Sequence, residues 1–458
     1  MNKKRQNIDF TTGNITRNLI LFAIPMLIGA VFQLLYNMVD SAVLGRFVSI
    51  RALAAVGATS ATGMLVMQFT NAVTNAMSVQ VSQAWGARNE AKLRRLLAHC
   101  IELSLCVGLF IMVVMLNGSY AIMKLLGTPA DIIDDAALYL RITCGFYIGH
   151  LLYNTATSVL RAIGDSRAPL YFLIFCSLVN IALDLLFVVA FHWEVLGVAL
   201  ATVISQFLSA ILCMTYLFRK YPMLRFSKSD LKPDGAILKD YARIAVPMAF
   251  QGVMLSIGDM TMTRVLNSFG TDTVAAFTIG SKCQQIVQLA FSQVAFSMSV
   301  YTGQNYGAKQ YSRIRTGMRK ALLLMSGLVA FSMAVMFLFG DKLMLIYMDP
   351  ATAGDVVPVL VKQYITVIAC FLPIHCLIWS FNSALRGMGH VTPTVISSFI
   401  ELACKIGFSL LLAPFFGTMG LWFVLPLGWV FGLMPSLGFY FFGKWEEKAL
   451  AKDAAAVQ

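Results

Sequence analysis

Charge is what this sequence has least of. Only 12% of its 458 residues are Asp, Glu, Lys or Arg, against about 25% in soluble domains, while 58% are hydrophobic. That balance excludes an ordinary soluble fold and implies a polytopic membrane protein. Acidic residues are the scarcer sign, with 22 Asp and Glu against 35 Lys and Arg. Such an excess can mark a nucleic-acid binder, but basic residues gathered on one side of a membrane give the same figure. No Gly-rich phosphate loop ending in Gly-Lys-Ser/Thr is present, so ATP is not the energy source. Five scattered histidines (His99, His150, His192, His375, His390) form no ligand cluster, and no nucleophile stands beside a base. An enzyme, a resident metal and any other cofactor are therefore not expected. Nine cysteines lack CxxC or Cys/His spacing and lie mostly in apolar runs, where thiols pack as small apolar side chains. The amino-terminal stretch has no small-residue cleavage site and reads as a cytoplasmic lead-in.

What is present is a succession of long apolar segments. Cuts at Gly, Pro and charge clusters leave twelve, at 17–44, 52–82, 93–117, 136–161, 168–191, 196–218, 241–267, 274–303, 318–340, 358–385, 393–414 and 418–442. Each reaches the ~20 residues that span a bilayer as helix. The connections alternate in charge: those after segments 2, 4, 6 and 8 are basic, as in GARNEAKLRR and GAKQYSRIRTGMRK, and those between are poorer in Lys and Arg. The positive-inside rule then puts the basic side and both termini in the cytoplasm of a multi-pass cell (inner) membrane protein. Nucleic acid drops out as a partner, and the lipid bilayer takes its place.

The chain also repeats itself. Ile24-Pro25-Met26 returns as Val246-Pro247-Met248, and VSQAWGARNEAKLRR returns as TGQNYGAKQYSRIRT, with Gln83, Gly86 and Ala87 answering to Gln304, Gly307 and Ala308. VLRAIGDSRAP answers to ALRGMGHVTP. Six helices followed by six in the same order, both entering from one side, are parallel repeats. The expected architecture is all-α: a cytoplasmic tail 1–16, an N-lobe 17–218, a linker 219–240, a C-lobe 241–442 and a cytoplasmic tail 443–458, with two six-helix lobes around a central cleft.

Against this apolar background, intramembrane polar residues need a reason. An ionised carboxylate within the hydrocarbon costs roughly 3 to more than 10 kcal/mol unless paired or hydrated. Asp40, with Asn37 three residues earlier, ends the first segment, and Asn180 and Asp184 share a helical face in the fifth. Together they would make an oxygen-rich site for a proton or a cation such as sodium, because a buried carboxylate pair resists carrying two negative charges. Polar stripes at i+3/i+4 steps mark candidate walls of a substrate cavity: Gln33, Tyr36 and Asn37 in segment 1, Gln68 and Asn71 in segment 2, Gln285 and Gln288 in segment 8. Asp259 is the sole carboxylate of segment 7 and joins this set. Glu401 and Lys405 stand four apart, the favourable order for a structural ion pair along one helix. Pro25 and Pro247 lie inside helices and are candidate hinges.

The proline of segment 1, Asp-Ser-x-x-Leu-Gly at Asp40 to Gly45, Gln-x-x-Gly-Ala after segments 2 and 8, and Leu-Arg-x-x-Gly after segments 4 and 10 together resemble the multidrug and toxic compound extrusion (MATE) family over essentially the whole chain. The resemblance is to its DinF-like branch. There it implies a cation or proton site at Asp40, Asn180 and Asp184, joined by Asn154 and Thr202, and a bend of the first helix on protonation of its aspartate. The NorM-like branch instead uses a glutamate early in helix 7, where this sequence offers Gln251 and Ser256. The resemblance implies a secondary antiporter working as a monomer by alternating access, in which inward protons or sodium drive outward movement of small organic, often cationic, drug-like substrates. A flippase for lipid-linked oligosaccharides or cell-wall precursors, of the same superfamily, is the alternative.

Overall fold

The computed structural model describes residues 7–43, 47–348 and 354–455, and all regular structure among them is helical. The first half comprises α1 (Ile15–Val43), α2 (Ile50–Ala58), α3 (Ser60–Gly86), α4 (Glu90–Leu125), α5 (Ile133–Gly145), α6 (Ile148–Ala162), α7 (Arg167–Leu185) and α8 (Glu194–Lys220). The second comprises α9 (Gly235–Asn267), α10 (Thr271–Gly307), α11 (Tyr311–Met344), α12 (Val356–Gly387), α13 (Thr392–Phe442) and α14 (Trp445–Ala455). All twelve expected segments are helical, but not all are single helices. The second is α2 followed by α3, and the fourth is α5 and α6, broken at Phe146 and Tyr147. The last two run together as α13, which is divided at Gly417, where φ is 57° and ψ is −139°. A residue with Cβ would pay for that conformation. By length and apolar content, nine helical stretches among the described residues can cross a membrane. The other crossings escape that measure because α5 and α6 are short, α10 carries the polar stripe, and the two arms of α13 count as one.

The internal repeat is realised at the level of helix termination. After α3, Arg88 at φ 55° closes a Schellman turn in which Arg88 N donates to Trp85 O and Asn89 N to Ala84 O. After α10, Lys309 at φ 59° does the same with Tyr306 O and Gln310 N with Asn305 O. The second repeated motif behaves alike. Gly164 N donates to Arg161 O and Asp165 N to Leu160 O, and in the other half Gly389 N donates to Arg386 O and His390 N to Leu385 O. Matching sequence motifs thus end matching helices with the same hydrogen bonds, as an internal repeat in the same order requires.

The helices form two compact units, Met1–Asp9 with Ile24–Ala245, and Phe10–Ala23 with Val246–Gln458. This division differs from lobes starting at 17 and 241. Residues 10–23 go with the second unit because Gln304 Oε1 accepts from Phe10 N, Arg313 donates to the carbonyls of Phe10, Thr12 and Gly13, and the Phe10 ring packs edge-on against Phe22 and Tyr301. The start of α9 stays in the first unit, where Tyr241 Oη donates to Val73 O. The changes of unit at 23/24 and 245/246 fall just before Pro25 and Pro247. Each proline removes an intrahelical N–H there. The core of the second unit gathers Phe291, Tyr364, Leu421 and Trp422, all fully buried. The first unit has one core cluster around Leu93, Leu97, Leu160 and Leu217 and another around Met115, Ala136, Leu140 and Leu151.

A polar node in the first unit secures the turn between α6 and α7. Asp165, 6% exposed, accepts from Lys220 Nζ at 2.7 Å, Tyr221 Oη at 3.0 Å, Tyr216 Oη at 3.1 Å and Ala168 N at 3.2 Å. Tyr221 also donates to Asn7 Oδ1, and Asn7 to Ile163 O, so the amino-terminal stretch is anchored on the same turn. Burial pushes the Asp165 carboxyl up, but the Lys220 ammonium and the other donors outweigh it and hold the group below the usual carboxylate range. A depressed folded-state pKa gives stabilisation that is present above the unfolded value and lost as pH falls through the folded one. Thermal unfolding of the purified protein should therefore show an acid limb that Asp165→Asn flattens. Lys220→Met, which strands a buried carboxylate, should cost about 3 kcal/mol at neutral pH, more than Asp165→Asn, because Lys220 is part-exposed and can be hydrated.

Candidate functional site

In the first unit the polar residues singled out from sequence fall on helices that pack together. Asn154 is on α6, Asn180 and Asp184 are on α7, and Thr202 is on α8; α7 and α6 both pack on α8. Local chemistry fixes α6: Ser158 Oγ donates to Thr74 O, Thr155 and Ser104 share a hydrogen bond between hydroxyls, and the Tyr147 hydroxyl accepts from Thr70 Oγ1. These bonds tie α6 to α3 and α4 just beyond its break from α5. The π-helical turn Leu186–Ala190 begins two residues after Asp184, and the rings of Phe187, Phe191 and Trp193 pack together behind it. Such turns widen the backbone locally and are common where a helix carries a functional group.

Asp184 is 0% exposed and Asn180 1%. Both side-chain atoms of Asn180 and the hydroxyl of Thr202 are buried with no hydrogen-bond partner among the described residues. Each such group costs about 1–3 kcal/mol. Asn154 donates its amide to His150 O, which leaves its carbonyl oxygen as the available acceptor. A carboxylate, two amide oxygens and a hydroxyl on adjoining helices are hard oxygen donors. They suit a proton or a hard monovalent cation rather than the thiolate and imidazole metals, and no group of three or more His, Cys, Asp or Glu occurs among the described residues. The side chains of Asn37 and Asp40 lie outside what is described, although both backbones belong to α1.

The stripe residues are less uniform than their spacing suggests. Gln33 is exposed and Tyr36 half-buried on α1, while Gln68 is half-buried and Asn71 exposed on α3. On α10 Gln285 is exposed, whereas its neighbour Gln284 is buried and accepts from Tyr364 Oη at 2.6 Å. Gln288 reaches His375, whose Nε2 accepts from Trp379 Nε1 at 2.9 Å and whose ring stacks on Trp429 at 4.1 Å. An indole N–H can only donate, so His375 is neutral at Nε2 and carries its proton on Nδ1, and the Gln288 amide must present its oxygen to it. Sequence reading passed over His375 because it looked for histidine clusters, and a lone histidine held by a tryptophan four residues on gives no such signal.

The expected Glu401–Lys405 pair is not formed. Lys405 Nζ instead donates to Asp259 Oδ1 at 2.7 Å, joining α13 to α9. Glu401 makes no hydrogen bond or ion pair among the described residues. The i,i+4 rule describes an isolated helix. In this lobe a carboxylate on a neighbouring helix competes for the ammonium and holds it.

Comparison with known proteins agrees with this architecture. The MatE family profile matches residues 25–186 and 247–411. The chain is 26% identical to the probable multidrug resistance protein YoeA of Bacillus subtilis over 96% of both proteins. It is 24% identical to the probable multidrug resistance protein NorM of Thermotoga maritima over 95% of this chain and 94% of that one. Its fold superposes on a MOP superfamily transporter from Pyrococcus furiosus with a TM-score of 0.87 at 21% identity, covering 98% of this chain and 100% of that one.

If the unpaired amide and hydroxyl exist for a ligand rather than for packing, replacing them with apolar isosteres should stabilise the resting protein. Asn180→Leu and Thr202→Val are each expected to raise stability by about 1–2 kcal/mol in thermal unfolding. A loss of stability in either variant would assign that side chain to the scaffold.

Proposed function

The chain belongs to the MatE family, whose members are transporters and not enzymes, and we propose that it is a multidrug efflux antiporter driven by an inward proton or sodium gradient. The observation that carries the reading is the burial without partners of Asn180, one turn from the fully buried Asp184 on α7, and of Thr202 on the adjoining α8. The names of the relatives, probable multidrug resistance proteins, support drug-like organic substrates. Asp40 and Asp184 hold the coupling ion in this reading, and Asn154, Asn180 and Thr202 supply neutral oxygens. Ion binding relieves the burial of negative charge, biases α1 at Pro25, and so couples to substrate release by alternating access. Gln33, Tyr36, Asn37, Gln68, Asn71, Gln285, Gln288 and Asp259 are the proposed substrate contacts, and Pro247 is the counterpart hinge of α9.

The energetics suffice. One positive charge entering down a membrane potential supplies about 2.3 kcal/mol per 100 mV, enough for a roughly 50-fold gradient of an uncharged solute. In this reading the protein works as a monomer in the cell (inner) membrane with both termini cytoplasmic, which its basic even-numbered connections support.

Reconstitution into proteoliposomes tests the proposal. With an imposed pH gradient or an imposed sodium gradient, one of the two is expected to drive accumulation of a fluorescent cationic dye. Asp184→Asn should abolish the gradient-driven component while leaving folding intact by thermal unfolding. Dye movement that persists unchanged in Asp184→Asn would remove this residue from coupling.

A further inference from the structure

Asp259 and Lys405 are an unequal pair. The Lys405 side chain is 10% exposed and that of Asp259 69%. Asp259 sits eight residues before the end of α9, about 12 Å along the axis, within a stretch apolar enough to cross the membrane. An ionised carboxylate that open cannot face hydrocarbon, so its free side must meet water or a solute. The lysine is different: its aliphatic stem is packed against α9. A Cβ on Gly258 would come within 3.0 Å of Lys405 Cδ and 3.2 Å of Leu402 Cδ1. The backbone of α9 thus makes room for the stem and sets the ammonium on the next residue, Asp259.

One turn earlier on α13 stands the carboxylate that sequence alone would have given to Lys405. Glu401 is wedged by the second arm of α13, since a Cβ on Gly432 would lie 2.6 Å from its Cγ and 3.2 Å from its Oε1. Residues four apart on a helix are neighbours, and a lysine side chain has four freely staggered bonds. Its ammonium can therefore reach either carboxylate by rotamer change alone, with α9 and α13 fixed. Of these two carboxylates the ammonium holds Asp259, the one open to a solute.

We propose that Lys405 is a tethered cation that occupies Asp259 and surrenders it to an organic cation by moving one turn along α13 to Glu401. Asp259 is then a binding carboxylate kept neutralised while no substrate is present, and Glu401 is the parking place that keeps the displaced ammonium paired. The arrangement selects for cations able to displace an ammonium already in place. It rests on the reading of this chain as an exporter of organic solutes.

The test is equilibrium binding of tetraphenylphosphonium to the full chain in lipid nanodiscs, with no gradient imposed. Lys405→Met keeps the stem against Gly258 and removes the competitor. If the lysine holds Asp259 about nine-tenths of the time, Lys405→Met should bind roughly tenfold more tightly. Adding Asp259→Asn to it should erase that gain. Glu401→Gln, which leaves the lysine nowhere else to go, should weaken binding severalfold relative to the parent. Thermal unfolding of each variant separates these effects from misfolding, and Lys405→Arg, which keeps the charge, supplies a folded control expected to show no gain. Unchanged or weaker binding in Lys405→Met, or a gain that survives Asp259→Asn, would overturn the inference while leaving organic-cation export standing. Absence of probe binding in the parent and every variant would overturn both.

Discussion

Everything distinctive in this protein follows from the cost of placing polar atoms in a helical bundle surrounded by lipid. Backbone groups are satisfied inside each helix, so the cost concentrates on side chains. Two solutions appear. In the second unit charge is neutralised within the protein, with Lys405 bonded to Asp259 at 2.7 Å. In the first unit Lys220 likewise holds Asp165 at 2.7 Å, but the amide of Asn180 and the hydroxyl of Thr202 are buried with no hydrogen-bond partner among the described residues.

The scaffold that holds these groups is repetitive, and the repetition is physical as well as textual. Paired Schellman turns at Arg88 and Lys309, and at Gly164 and Gly389, end corresponding helices with the same bonds. Departures from the repeat coincide with the functional candidates. The break between α5 and α6 and the π turn after α7 belong to the first lobe, flanking Asn154 and Asp184. In place of the α5–α6 pair the second lobe runs a single helix, α12, over Val356–Gly387, while its own break falls at Gly417 in α13.

Much of this was legible in the sequence. Twelve apolar segments, their alternating charge and the 25/247 proline correspondence specify an all-α duplicated membrane protein, and the family confirms it. Burial of Asn180 and Asp184 could be read from their shared face within an apolar run. The failures have one cause: sequence rules are local, and tertiary partners override them. Lys405 was assigned to Glu401 by i,i+4 spacing, but the close approach of Gly258 brings Asp259 to it. Residues 10–23 read as a tail running into the first lobe, whereas Gln304 and Arg313, some 300 residues away, draw them into the second unit. The break at Phe146 carries no proline to announce it.

The central claim is that the buried oxygen set around Asp184 takes up the coupling ion and yields it when substrate binds. Its most direct test is to add tetraphenylphosphonium to the purified protein in weak buffer and count released protons by a pH indicator and released sodium by isotope. The account predicts release of one of the two ions on substrate binding, abolished by Asp184→Asn. Substrate binding with no release of either ion from the parent protein, or with release unchanged in Asp184→Asn, would contradict it.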